Sequence, residues 1–184
     1  MLALFFIFCY TIVMIETYKK LYQKVYGFFT KRPVLKQILF ILDKGLTVLI
    51  GIAYMLLLIT AVKKDYNALD FIAILFAPLL CLFIVWVLRL AVPRPRPFSD
   101  KGAGIIPLFE TKKSEFSSFP SRHVASAFVI AGVFLPHVTA VAVLLYLMGI
   151  LLGFIRFALG LHYPTDLLLG AFIGVFCTAL TWFI

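Results

Sequence analysis

The sequence predicts an all-α protein, a polytopic membrane bundle of six transmembrane helices, and three observations carry that expectation. Hydrophobic residues make up 64% of the 184-residue chain and charged residues only 14%, against about half and a quarter in soluble domains. The mean hydropathy is +1.09. Charge-free apolar runs recur along the chain, with the ionisable residues gathered between them. Such a composition excludes disorder and a solenoid and does not suit an ordinary soluble enzyme. The length fits a single integral-membrane domain over residues 1–184. Cys9, Cys81 and Cys177 all fall inside apolar runs and read as small buried hydrophobes, with no disulfide framework.

The spans are expected at roughly 1–17, 42–62, 69–90, 119–135, 138–157 and 165–184. The first rests on Leu2–Ile15, which is short and has neither a basic leader nor a cleavage signature. Gly45–Val62, Phe71–Leu88 and Leu167–Ile184 each hold 18 uncharged residues. Val124–Ile155 holds 32, too long for one span, and Pro136-His137 divides it into two. Between the spans, Tyr18–Lys36 mixes Lys with Tyr, Phe and Leu and reads as an interfacial amphipathic segment. Ala91–Phe119 contains Pro93, Pro95, Pro97 and Pro107 and reads as an irregular loop. Alternation puts 18–36, 91–119 and 156–166 on one membrane face, with 63–68 and the Pro136-His137 turn on the other.

The net charge of +9 does not suggest a nucleic-acid partner, because the basic residues lie between apolar runs rather than on a solvated face. Lipid headgroups and a phosphorylated substrate are the better partners. Ionisable residues beside or within spans are costly and usually functional. Arg89 ends the third span, Arg96 follows in the loop, Ser121-Arg122-His123 open the fourth, Arg156 closes the fifth, and His162 and Asp166 precede the sixth. Several arginines that stay protonated form a site for a multiply charged oxyanion, phosphate first. Amides at the start of the fourth helix favour the same ligand. Two histidines beside it supply a nucleophile and a general acid, and an Asp four residues after a His can fix its tautomer. Metal ligation by the His and Asp residues competes with this reading, but the arginines would repel a cation, so no metal and no cofactor is expected.

These residues resemble the type 2 phosphatidic acid phosphatase superfamily, relatives of glucose-6-phosphatase and the vanadium haloperoxidases. Its motifs K-x6-R-P, P-S-G-H and S-R-x5-H-x3-D read here as Arg89-x6-Arg96-Pro97, Pro120-Ser121-Arg122-His123 and Ile155-Arg156-x5-His162-x3-Asp166. The resemblance covers Arg89 to Asp166. Arg89 stands for Lys, Arg122 for Gly and Ile155 for Ser, and none of these removes a nucleophile or acid. By the resemblance, His162 is the nucleophile that forms a phosphohistidine and Asp166 its orienting partner. His123 protonates the leaving oxygen and then activates water. Arg89, Arg96 and Arg156 hold the phosphoryl oxygens, assisted by Ser121 and Arg122. Arg94, Lys112, Lys113 and Glu115 are expected to be solvated or headgroup-facing charges, and His137 incidental.

The expected function is hydrolysis of a lipid phosphate or pyrophosphate, undecaprenyl pyrophosphate first and phosphatidylglycerophosphate or phosphatidic acid second. A non-enzymatic lipid flippase or transporter is the alternative, and a haloperoxidase-like use of the pocket with bound vanadate is a further one, disfavoured because those relatives are soluble. The oligomeric state is not legible. The resemblance implies a bacterial plasma membrane protein with an extracytoplasmic site. The positive-inside rule points the other way: of 13 basic residues outside the site, 11 lie on the site's face and only Lys63 and Lys64 opposite. A basic surface that attracts anionic lipid accounts for the same asymmetry.

Overall fold

Among the described residues the apolar runs fold into six helices: α1 (Leu2–Thr30), α2 (Pro33–Lys63), α3 (Ala68–Ala91), α4 (Arg122–Phe134), α5 (Thr139–Ala158) and α6 (Pro164–Thr181). The computed structural model describes residues 2–64, 66–101, 103–109 and 118–182, with side chains from Glu16 onward. No strand occurs among the described residues. Four of the helices, α2, α3, α5 and α6, are long and apolar enough to cross a membrane. Their outer faces are apolar, with Val48, Ile52, Met55 and Ile59 exposed on α2 and Leu144, Leu147, Leu151 and Phe154 on α5. The protein is an integral membrane protein. The fourth expected span is shorter than 119–135: α4 has 13 residues and is about 20 Å long, against a hydrocarbon core of about 30 Å. Nine of its 13 residues are buried, so it is the shared centre of the bundle rather than a lipid-facing helix.

The segment Tyr18–Lys36, expected to be interfacial and amphipathic, forms the second half of α1 and the first turn of α2. Tyr18 and Tyr22, one helical turn apart, are buried and turn their rings inward. Tyr18 meets Phe157 edge-on at 5.3 Å and Tyr163 at 4.9 Å. The Tyr22 hydroxyl donates to the Ile106 carbonyl at 2.9 Å. These contacts carry the segment into the protein body, and Pro33 in the first turn of α2 restarts the helix after Arg32.

Small residues seat α6 against α4. A Cβ at Gly170 would stand 2.6 Å from the Ser121 carbonyl, and one at Gly174 would stand 2.6 Å from the Ala125 carbonyl. One turn further, Thr178 fills the space beside Gly132. This four-residue spacing lets two backbones approach closely where apolar lipid offers no driving force of its own. Within α3, Pro78 leaves the Ile74 carbonyl without its helical donor, and the Tyr54 hydroxyl of α2 supplies one at 3.1 Å. Cys81 and Cys177 are buried free thiols, as expected, and the Cys9 side chain lies outside the described residues.

The turns alternate as the charge pattern implied. Tyr66 and His137 stack at 4.7 Å, which joins the α2–α3 and α4–α5 turns at one end. At the other end, Lys19 approaches Gly104 and Lys36 lies over Phe109, so the basic residues of α1 and α2 fold onto the 103–109 loop.

Candidate active site

The end of α5 places the first histidine. Gly160, at φ +70°, takes the left-handed conformation that closes the helix. The Gly160 amide donates to the Phe157 carbonyl at 2.9 Å and the Leu161 amide to the Arg156 carbonyl at 3.0 Å, a Schellman closure. The chain then turns His162 inward, where it is 1% exposed. Its Nδ1 donates to the Ser118 carbonyl at 2.8 Å, which makes Nε2 the lone-pair nitrogen of the neutral ring. Burial first, with the Arg96 and Arg156 charges adding, lowers its pKa to about 4 against the opposing pull of Asp166. The ring is neutral at pH 7.

Asp166 was expected to hold one imidazole nitrogen of His162 and so orient the ring, and the nitrogen on its side is Nδ1. Its Oδ2 lies 3.7 Å away, too far for a hydrogen bond, because the Ser118 carbonyl occupies that donor. Asp166 is buried in the first turn of α6, where it accepts from the Tyr163 amide at 2.9 Å, from the Ser118 hydroxyl, and from Arg94 at 2.7 Å. A carboxylate in a first helical turn is favoured by the exposed amides there. Arg94, expected to be a solvated charge, is thus part of the site. It also donates to Thr165 at 2.9 Å and lies over the Tyr163 ring at 4.1 Å. Tyr163 in turn donates to Asp100 at 2.6 Å.

The remaining arginines converge on this end. Arg96 is buried, donates to the Leu161 carbonyl at 3.2 Å, and has its pKa lowered to about 10 by burial and by the charges of Arg156 and Arg122. It is still a cation at neutral pH. Arg89 donates through Nε and Nη2 to the Pro120 carbonyl at 3.2 and 2.8 Å, so part of its guanidinium pins the loop before α4. Arg156 meets Asp43 of α2 at 3.0 Å, both side chains being 3% exposed. The charges of Arg89 and Arg122 also reach Arg156.

Ser121, Arg122 and His123 open α4. The Ser121 amide donates to the Asp166 carbonyl at 2.9 Å, which fastens the start of α4 to the start of α6. Among the described residues the buried Ser121 hydroxyl has no hydrogen-bond partner and no side chain caps α4. Donors at a helix start are thereby left for an anion. Arg122 is the first helical residue, so a side chain there meets no backbone strain. With His123 it borders a cavity of about 190 Å³ that continues to Thr47, Ile50 and Gly51 of α2 and to Ile130 of α4. Ile155 is buried in the core. Lys112, Lys113 and Glu115 lie outside the described residues.

Sequence reading had not singled out Asp43 or Ser118. For Asp43 a signal existed, a carboxylate at the edge of an apolar run. For Ser118 there was none, because a serine in a polar loop run shows neither that its carbonyl meets His162 nor that its hydroxyl meets Asp166.

A family model described as the PAP2 superfamily matches residues 70–184. Among solved structures, LpxE of Aquifex aeolicus is 26% identical, with a TM-score of 0.67 over 90% of this chain and 94% of that one. The first transmembrane PAP2-type phosphatidylglycerolphosphate phosphatase from Bacillus subtilis is 22% identical, with a TM-score of 0.60 over 98% and 93%, a likeness of fold.

Proposed function

The chain belongs to the PAP2 superfamily and is a phosphatase acting on a membrane lipid, and on that premise we propose a metal-independent mechanism through a phosphohistidine. The observation that supports it best is the neutral His162, whose Nδ1–H is held by the Ser118 carbonyl while arginines gather round it. Nε2 attacks phosphorus, the bond to the leaving oxygen breaks, and His123 gives that oxygen its proton. His123 then takes a proton from water as the water attacks the phosphohistidine, releasing phosphate and restoring His162. Arg96, Arg156, Arg89 and Arg122, with the Ser121 hydroxyl and the α4 amides, stabilise the charge on the phosphoryl oxygens. Asp166 neutralises part of the charge that the ring gains during attack. With the Arg96 and Arg156 charges bearing on the nucleophile, an anion is favoured over a metal cation.

The substrate is a lipid phosphate or pyrophosphate, undecaprenyl pyrophosphate first and phosphatidylglycerophosphate or phosphatidic acid second. The site lies at helix ends, so the tail stays in the bilayer while the phosphate enters, and the cavity beside His123 opens toward apolar residues of α2 and α4. Phosphate release from a panel of purified lipid phosphates in detergent tests this. Release that resists EDTA and is blocked by vanadate is expected, and a marked preference for a water-soluble phosphate would overturn the lipid assignment. We place the site on the extracytoplasmic face. Single cysteines at Lys101 and Asn67, in a Cys-free background, should label from outside intact cells at Lys101 only, and the reverse pattern would move the site to the cytoplasm.

A further inference from the structure

We propose that Asp43 is a positioning residue for the phosphate site, setting the guanidinium of Arg156 against the substrate oxyanion. The inference rests on the reading of Arg156 as a phosphoryl clamp. Asp43 sits ten residues into α2, a helix that contributes none of the family motif residues, and its carboxylate is buried. Its oxygens lie 3.0 and 3.3 Å from a single nitrogen of Arg156, Nη2. The arginine is gripped from one side only. Its Nε is buried and has no hydrogen-bond partner among the described residues, a donor left over in a site built for an oxyanion.

Stability alone does not account for the pair. Two apolar residues of similar volume would join α2 to α5 at no desolvation cost, whereas a buried ion pair often costs more than such a replacement. The neighbours of Arg156 supply a better reason. Like charges on Arg89 and Arg122 bear on it, and without a counter-charge behind it the guanidinium would be driven out of register. Asp43 opposes that repulsion from α2, whereas Arg89 and Arg96 are anchored on the Pro120 and Leu161 carbonyls. A rigid clamp matters because a displacement of about 1 Å in a positioning group costs up to about 100-fold in rate.

The test is a double-mutant cycle in the full-length, detergent-purified protein, using Asp43→Asn, Arg156→Gln and the double variant. The readouts are kcat/KM on a lipid phosphate and the inhibition constant of vanadate, which probes the oxyanion site without the lipid tail. Asp43→Asn should weaken vanadate inhibition and lower kcat/KM by about 10- to 100-fold with the melting transition retained. The double variant should be no worse than Arg156→Gln alone, since Asp43 acts through that arginine. Losses that multiply in the double variant would overturn the proposal. So would an Asp43→Asn protein within about twofold of wild type while Arg156→Gln is impaired. If Arg156→Gln itself leaves vanadate inhibition unchanged, the clamp reading of Arg156 fails and this inference falls with it. Should Asp43→Asn not survive extraction, Asp43→Glu keeps the charge but moves it by one methylene. Weakened vanadate inhibition is expected there too, and wild-type inhibition would sink the proposal.

Discussion

The two ends of the bundle each carry a histidine in a turn between helices, and they differ in everything around it. His137 lies half-buried in the α4–α5 turn with its ring stacked on Tyr66. His162 is enclosed in the α5–α6 turn, donates to a backbone carbonyl and is ringed by arginines. The residue type is the same. What separates them is the backbone closure at Gly160, the loop that brings Ser118 alongside, and three helix ends that deliver cations. A histidine becomes chemically useful here through what fixes its tautomer and excludes water from it.

Substitution should widen that contrast most. His162→Ala is expected to lower turnover by about 10⁴-fold or more, since no other side chain in the pocket replaces the nucleophile. His137→Ala should stay within about twofold of wild type. Steady-state phosphate release compares them, and near-wild-type activity of His162→Ala would overturn the assignment of roles.

A pH series probes the same difference. With its pKa lowered to about 4, His162 keeps its lone pair well below neutrality. Phosphoenzyme formation from an ester with a good leaving group, which needs little help from His123, should hold its rate from pH 7 to about pH 5. A decline centred near 6.5, the usual imidazole value, would show a solvated ring instead. The same shift acts on stability. The folded state keeps His162 neutral while the unfolded chain takes up a proton below about 6.5. That contribution is therefore whole above 6.5 and is lost as pH falls toward about 4.

The smallest effects separate the close-packed α4–α6 seam from the open cavity wall at Gly51. Gly174→Ala puts a methyl group 2.6 Å from the Ala125 carbonyl, and easing α4 from α6 should cost about 1–3 kcal/mol. Gly51→Ala meets nothing within 4 Å and should be neutral or gain up to about 1 kcal/mol of helix stability. Thermal melting in detergent reads both, and equal shifts would show that glycine does not seat α6 on α4.

Much of the site was legible because its chemistry needs residue types that a membrane helix otherwise avoids. Arg89, Arg96, Arg122, His123, Arg156, His162 and Asp166 stand out against apolar runs, and their order along the chain already places them at one end. The roles of Arg94 and Asp43 were not legible. One sits among prolines like any loop charge, and the other finds its partner 113 positions away. The inward turn of Tyr18 and Tyr22 was not legible for a related reason: an amphipathic tyrosine suits a headgroup layer and a protein interior equally well.

By itself the sequence determined that the chain lives in a membrane, that its polar chemistry gathers at alternate ends of apolar helices, and that the chemistry is built for an oxyanion. Those follow from solvation, since lipid tolerates only helical backbone and admits charge only where it is used. Tertiary structure alone decided that a carbonyl rather than Asp166 holds Nδ1, that Arg94 belongs to the carboxylate, and that α4 is a short central helix seated by glycines. The reason is physical. A hydrogen bond is won by whichever acceptor lies within about 3 Å, and side-chain identity does not reveal where a distant backbone carbonyl will come to rest.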